Sequence, residues 1–115
     1  MFNVTIRNEL DNVYRDYVRA IVKEDFAMLQ SVSVGVLPSS LPESLIPEAF
    51  CYLQRLVPNH SDLKCLNIET RGEYRAEYYH ALPRADKSFH VNVTPFRKVR
   101  GAWKVAGLTT PRRGE

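Results

Sequence analysis

The spacing of apolar residues changes once along this chain, near residue 63, and no other feature restricts the fold as much. Before that point hydrophobic side chains recur every three or four residues, as on an amphipathic helix. After it they alternate, as on strands with two unlike faces. Helices that precede a run of antiparallel strands imply an α+β domain with its helices gathered on one sheet face.

The helical part begins with one stripe made of Leu10, Val13, Tyr14, Tyr17, Val18 and Ile21, with Arg15, Asp16, Arg19 and Lys23 opposite. Asn8 followed by Asp11 resembles a helix-start signal, so the first helix is expected over about residues 9–23. Asp25 interrupts the stripe and has two readings. It is either a carboxylate aimed into a cavity as a general base, or the N-cap of a short second helix carrying Phe26, Met28 and Leu29. The break in the stripe favours the cap. Residues 31–44 read as loop around Gly35, Pro38 and Pro42. Pro47 suits the first turn of a third helix, with Ala49, Phe50, Leu53, Leu56 and Val57 on its buried side. Pro58 ends that helix, and Asn59 to Asp62 form a turn.

Strands are expected at about 63–70, 73–82, 88–97 and 102–109. Arg71-Gly72 joins the first pair, residues 83–87 form a longer loop, and Arg100-Gly101 closes the last hairpin. Tyr74, Ala76, Tyr78, His80 and Leu82 share one face of the second strand. The third sets Phe89, Val91 and Val93 against His90, Asn92 and Thr94, and the last sets Trp103 and Val105 against Lys104 and Ala106. Both alternation phases carry aromatic or aliphatic residues. One face must cover the helices, and the other is available to a partner, so a homodimer is expected.

At 115 residues the chain suits a single domain spanning 1–115, with loose ends at 1–8 and 110–115. Its apolar runs are far too short to span a bilayer. The start lacks the pattern of a secretory leader, which makes a cytoplasmic location the default, a removed leader remaining open. Cys51 and Cys65 fit no zinc or redox spacing and are expected to be reduced, partly buried thiols. No cofactor or metal signature is present. Residues 1–56 carry 5 basic and 7 acidic groups, and residues 57–115 carry 11 and 6. Much of the excess lies in Arg97, Lys98, Arg100, Lys104, Arg112 and Arg113. Such a stretch attracts phosphates. Cations alternating along a hairpin more commonly keep its solvent face soluble and guard an edge, and no nucleic-acid-binding motif accompanies them. A nucleic-acid partner is therefore not expected.

Three segments together resemble the nuclear-transport-factor-like superfamily of cone-shaped α+β folds, which includes ketosteroid isomerase, scytalone dehydratase and the polyketide cyclases. They are residues 17–29, a first helix followed by the capping Asp25; residues 63–82, a strand pair turning at Arg71-Gly72; and residues 101–108, similar to a closing Gly-x-Trp-Lys-[Ile/Val] strand. Glu24 stands where the family commonly has glycine. The resemblance implies a strongly curved, mainly antiparallel sheet of four or more strands, wrapped around helices to enclose an apolar pocket. It also implies dimerisation through the outer sheet face. It does not imply a reaction, because the fold hosts enzymes and binding modules alike.

If the first helix meets the second strand, Tyr14, Tyr17, Tyr78 and His80 would line such a pocket and bind a small apolar ligand, orienting its carbonyl or accepting a proton. An aromatic core with polar tips turned to water or backbone is the plainer reading of the same four residues. A pocket enzyme of the isomerase, cyclase or dehydratase kind would use Tyr78, His80 or Asp25 as acid or base. His60 and His90 are less suggestive, one in a turn and one on the opposite phase to Phe89.

Overall fold

The stripe beginning at Leu10 folds as one helix, but that helix starts five residues before the expected position. In the computed structural model, which describes residues 4–56, 64–83 and 89–111, α1 runs Val4–Val22. Ile6 lies one turn before Leu10 and packs against the core, so the buried face extends through the Asn8 signal. Leu10, Tyr14, Tyr17, Val18 and Ile21 are all buried.

The end of α1 is set by backbone geometry. Glu24 takes a left-handed conformation with φ 55°. The Asp25 N–H reaches back to the Ala20 carbonyl at 2.8 Å, and the Glu24 N–H to that of Ile21 at 3.2 Å. This is the Schellman arrangement, in which glycine is the least strained occupant of the position Glu24 holds. Asp25 then caps α2 (Phe26–Val32), its carboxylate accepting the Met28 N–H at 3.0 Å. The alternative role of Asp25 as a pocket base is thereby corrected: its side chain is exposed and bound to backbone.

A 3₁₀ turn at Glu43–Leu45 leads into α3 (Ile46–Leu56), with Pro47 in its first turn and Phe50 and Leu53 buried. The Gln54 amide donates to the Ile21 carbonyl at 3.0 Å and ties α3 to the end of α1. Val57, Pro58, His60 and the expected turn at 59–62 lie outside the described residues, as does the loop at 84–87.

The strands are β1 (Lys64–Thr70), β2 (Arg75–Pro83), β3 (Phe89–Val99), β4 (Ala102–Val105) and β5 (Thr110–Pro111). They pair antiparallel in the order β1-β2-β3-β4, and β5 returns to pair with β3. The Arg100-Gly101 turn has φ of 52° and 83°, as a two-residue hairpin requires. The fold is thus α+β, with helices on one face of an antiparallel sheet.

The final strand, expected over 102–109, instead stops at Val105 and resumes at Thr110. The Ala106 N–H donates to the Pro95 carbonyl at 2.8 Å, but proline has no N–H to return the bond. Gly107 lies against the same ring, where a Cβ would come 3.0 Å from Pro95 Cγ. The ends are also more ordered than expected: residues 4–8 belong to α1, and Thr110–Pro111 form β5.

The helices cover the face formed by Ala76, Tyr78 and His80 of β2, Asn92, Thr94 and Phe96 of β3, and Trp103 and Val105 of β4, all buried. On β3 the polar phase therefore points inward, while Val91, Val93 and Pro95 lie half-buried on the outer face. The side chain of His90 lies outside the described set. Cys51 and Cys65 are free thiols, Cys65 partly buried as expected and Cys51 exposed. Among the described residues no helix is long and apolar enough to cross a membrane.

Candidate functional site

The seam between α1 and β2 brings together the four residues expected to line a pocket. Tyr14 stands on the buried stripe of α1, and Tyr78 and His80 stand two residues apart on β2, so all three reach the same space. The Tyr14 ring centroid lies 5.0 Å from that of His80 and 5.4 Å from that of Tyr78. Tyr78 and His80 are 5.6 Å apart. Tyr17 joins through Tyr14, at 5.8 Å. At most 1% of any of the four is exposed, so these rings fill the seam they were expected to line.

A continuous chain of hydrogen bonds runs through this aromatic cluster. His80 Nε2 meets Thr94 Oγ1 at 2.9 Å, Thr94 Oγ1 meets Thr109 Oγ1 at 2.7 Å, and Thr109 Oγ1 meets the Tyr14 hydroxyl at 3.4 Å. The opposite ring nitrogen, His80 Nδ1, is buried without a hydrogen-bond partner. Buried polar atoms almost always find one, so among the described residues this nitrogen is the exceptional buried side-chain atom.

Beside this chain the Tyr78 hydroxyl donates a short hydrogen bond to Asp11 Oδ1. Asp11 also faces Arg7, with 3.7 Å between Arg7 Nε and Asp11 Oδ2, and its side chain keeps 24% of its surface open. It ties the buried Tyr78 ring to the partly exposed side of α1. Reading Asp11 as a helix-start residue missed this role. The available signal was its position three residues before Tyr14, which places both on neighbouring parts of one helix face.

Burial sets the electrostatics. It lowers the His80 pKa from 6.5 to about 4, leaving the imidazole neutral at neutral pH. Burial raises Tyr14 and Tyr17 above the usual phenol value; for Tyr14 the Thr109 and Thr94 hydroxyls oppose the rise, and for Tyr17 the neighbouring Tyr14 adds to it. Tyr78 is raised by burial first and then by its bond to Asp11 and that group's charge. Burial also raises the Cys65 thiol, as does Asp11, with Arg7 opposing. A group suited to proton transfer titrates near the working pH. Here the imidazole and the phenols all move away from neutrality.

A concavity open to solvent, about 490 Å³ in volume, lies near the β1–β2 and β3–β4 turns. Tyr74, 63% exposed, contributes to its wall, as do Trp103 and Lys98. The Lys98 ammonium already sits 5.7 Å from the Trp103 ring centroid. Among the described residues no group of three or more His, Cys, Asp or Glu side chains could hold a metal ion.

No family model matches the chain, and no curated protein matches it. Among solved structures it is similar to the crystal structure of an NTF-2-like protein of unknown function from Shewanella oneidensis MR-1, with 14% identity and a TM-score of 0.44. The superposition covers 89% of this chain and 95% of the other.

Proposed function

We propose that this domain binds a small, largely apolar molecule between α1 and the inner face of the sheet, the packed rings of the seam parting to admit it, and that it pairs with a second copy through the outer face. The unpartnered His80 Nδ1, fully buried among the rings of Tyr14 and Tyr78, carries the binding part of this reading. A buried donor or acceptor without a partner costs about 1–3 kcal/mol. A ligand atom that completes it recovers that energy, while the aromatic walls contribute apolar contact. Entry passes the Asp11–Tyr78 contact, whose carboxylate end is partly open to water.

Pairing rests on Tyr79, Val91, Val93 and Pro95, which form a half-buried, mainly apolar group on the outer face, with Tyr79 directly opposite Val93. The ligand reading is tested by native mass spectrometry of the purified protein, together with thermal shifts in a panel of neutral hydrophobic compounds. Retained small-molecule mass, or a compound that raises the melting temperature of the natural protein but not of His80→Phe, is expected. A bare polypeptide mass with no shift anywhere in the panel would end it.

A further inference from the structure

We infer that the outer face of the sheet binds a phosphoryl group, free or carried on a small organic molecule, between the side chains of Arg75 and Arg97. The site lies on the other side of the sheet from the aromatic seam and does not depend on the binding proposed there.

Strand register builds the site. Arg75 stands directly across from Arg97, and Arg97 directly across from Lys104. The Arg71 N–H donates to the Arg75 carbonyl at 2.8 Å, which sets Arg71 opposite Arg75 just past the end of β1. Four cations therefore form one row across the sheet, on the phase opposite to the buried Ala76, Phe96 and Val105. The neighbouring row on that face runs through Glu69, Glu77 and Pro95.

The two end members of the cationic row are engaged. Arg71 meets Glu77 at 2.7 Å and Glu69 at 3.8 Å, and the Lys104 ammonium donates to the Ser31 carbonyl. Arg75 and Arg97, between them, are exposed and have neither a hydrogen bond nor an ion pair among the described residues. The Lys98 N–H donates to the Tyr74 carbonyl at 2.7 Å, so Arg75 and Arg97 form the next, non-hydrogen-bonded pair of the ladder. Side chains approach closest across pairs of that kind, and like charges placed there repel. Edge protection does not account for them, because β2 and β3 are the central strands. A concavity of about 200 Å³ lies beside the pair, lined by Arg71, Arg75, Glu77, Pro95, Arg97 and Ala106.

The charge count selects the ligand. Glu77 is already paired with Arg71, which leaves two positive charges facing the concavity. A phosphate monoester carries close to two negative charges at neutral pH. Each guanidinium fork can meet two of its oxygens. A carboxylate or sulfonate brings a single charge and balances only one arginine. A bound phosphoryl group also removes the repulsion across the pair, which a neutral ligand leaves in place.

Isothermal titration calorimetry of the whole chain tests this at about 0.15 M salt, where screening confines attraction to about 8 Å. The probes are phenyl phosphate, inorganic phosphate and benzenesulfonate. The expected result is one phenyl phosphate per chain with a Kd of about 1 mM or below, and benzenesulfonate at least about ten-fold weaker. Arg75→Gln and Arg97→Gln should each weaken phenyl phosphate at least about ten-fold, as loss of one charge-assisted pair does. Arg15→Gln removes the same charge from the exposed side of α1 and should leave binding unchanged. Phenyl phosphate binding more tightly than inorganic phosphate identifies an organic phosphate as the ligand; binding no more tightly identifies free phosphate. Neither arginine variant should melt below the natural chain, and a large fall would make the pair structural and overturn the site. So would no heat from either phosphate, an equal loss in Arg15→Gln, or no preference over benzenesulfonate. A thymidine oligonucleotide that binds where phenyl phosphate does not overturns it in favour of a nucleic-acid surface.

Discussion

The two faces of β3 reverse the usual allocation of a half-covered strand. Such a strand ordinarily turns its aliphatic residues to the core and its polar ones to water. Here Asn92 and Thr94 are buried against the helices, while Val91 and Val93 keep partial exposure on the other side. Two unlike demands explain the reversal. The inner phase contributes Thr94, the central member of the chain that links His80 to Thr109 and Tyr14. The outer phase presents the half-buried apolar groups on which the proposed pairing rests. Alternation fixes which residues share a face, but hydrogen bonding fixes which face goes inside.

Substitutions on the two phases can break or sharpen this contrast. Phe96→Ala on the inner phase should cost about 3–5 kcal/mol in urea unfolding, whereas Val91→Ala on the outer phase should cost only about 1 kcal/mol. Similar losses from the two would erase the distinction.

The inner phase should also carry a pH signature. His80 titrates near 4 when folded and near 6.5 when unfolded, so between those values the unfolded chain binds more protons. Stability from this group is fully present above pH 6.5 and declines as the pH falls through the window towards 4. The full loss is about 3 kcal/mol. His80→Gln should flatten that slope in unfolding measured at stepped pH; an unchanged slope would remove His80 as its source.

Thr94→Val leaves the hydroxyl of Thr109 and Nε2 of His80 without their shared partner, at about 1–3 kcal/mol. The neighbouring Val93→Thr, on the outer phase, should stay within about 1 kcal/mol by the same assay. Away from both faces, Glu24→Gly relieves the left-handed position after α1 and should raise stability by up to about 1 kcal/mol, visible as a higher melting temperature. Val93→Lys, at the position of Val93→Thr, should likewise change monomer stability by no more than about 1 kcal/mol. Its signature is in association: sedimentation equilibrium should record a dimer for the natural chain and a monomer for the variant. A dimer that tolerates the lysine would move the interface elsewhere.

Much of this organisation was legible in the sequence because it is local. The stripe from Leu10 to Ile21 requires only helical periodicity, and the Asp25 cap only its own neighbourhood. The shared face of Tyr78 and His80 follows from strand alternation. Other parts depend on residues far apart in sequence. Asp11 resembles a helix-start residue until Tyr78, 67 residues later, donates to it. The pairing of Thr94 with Thr109 and with His80 has no local trace in the sequence. The interruption after Val105 follows from Pro95, whose missing N–H matters only once the two strands are adjacent.

The link between Tyr14 and Thr109 joins positions 95 residues apart. Tyr14 stands on a helix whose own hydrogen bonds can form early in synthesis, while its hydroxyl waits for a residue that leaves the ribosome much later. Contacts of such separation slow folding because much of the chain must be ordered before they form. The seam around His80 therefore closes late, and until it does its aromatic rings remain exposed to whatever else the nascent chain meets.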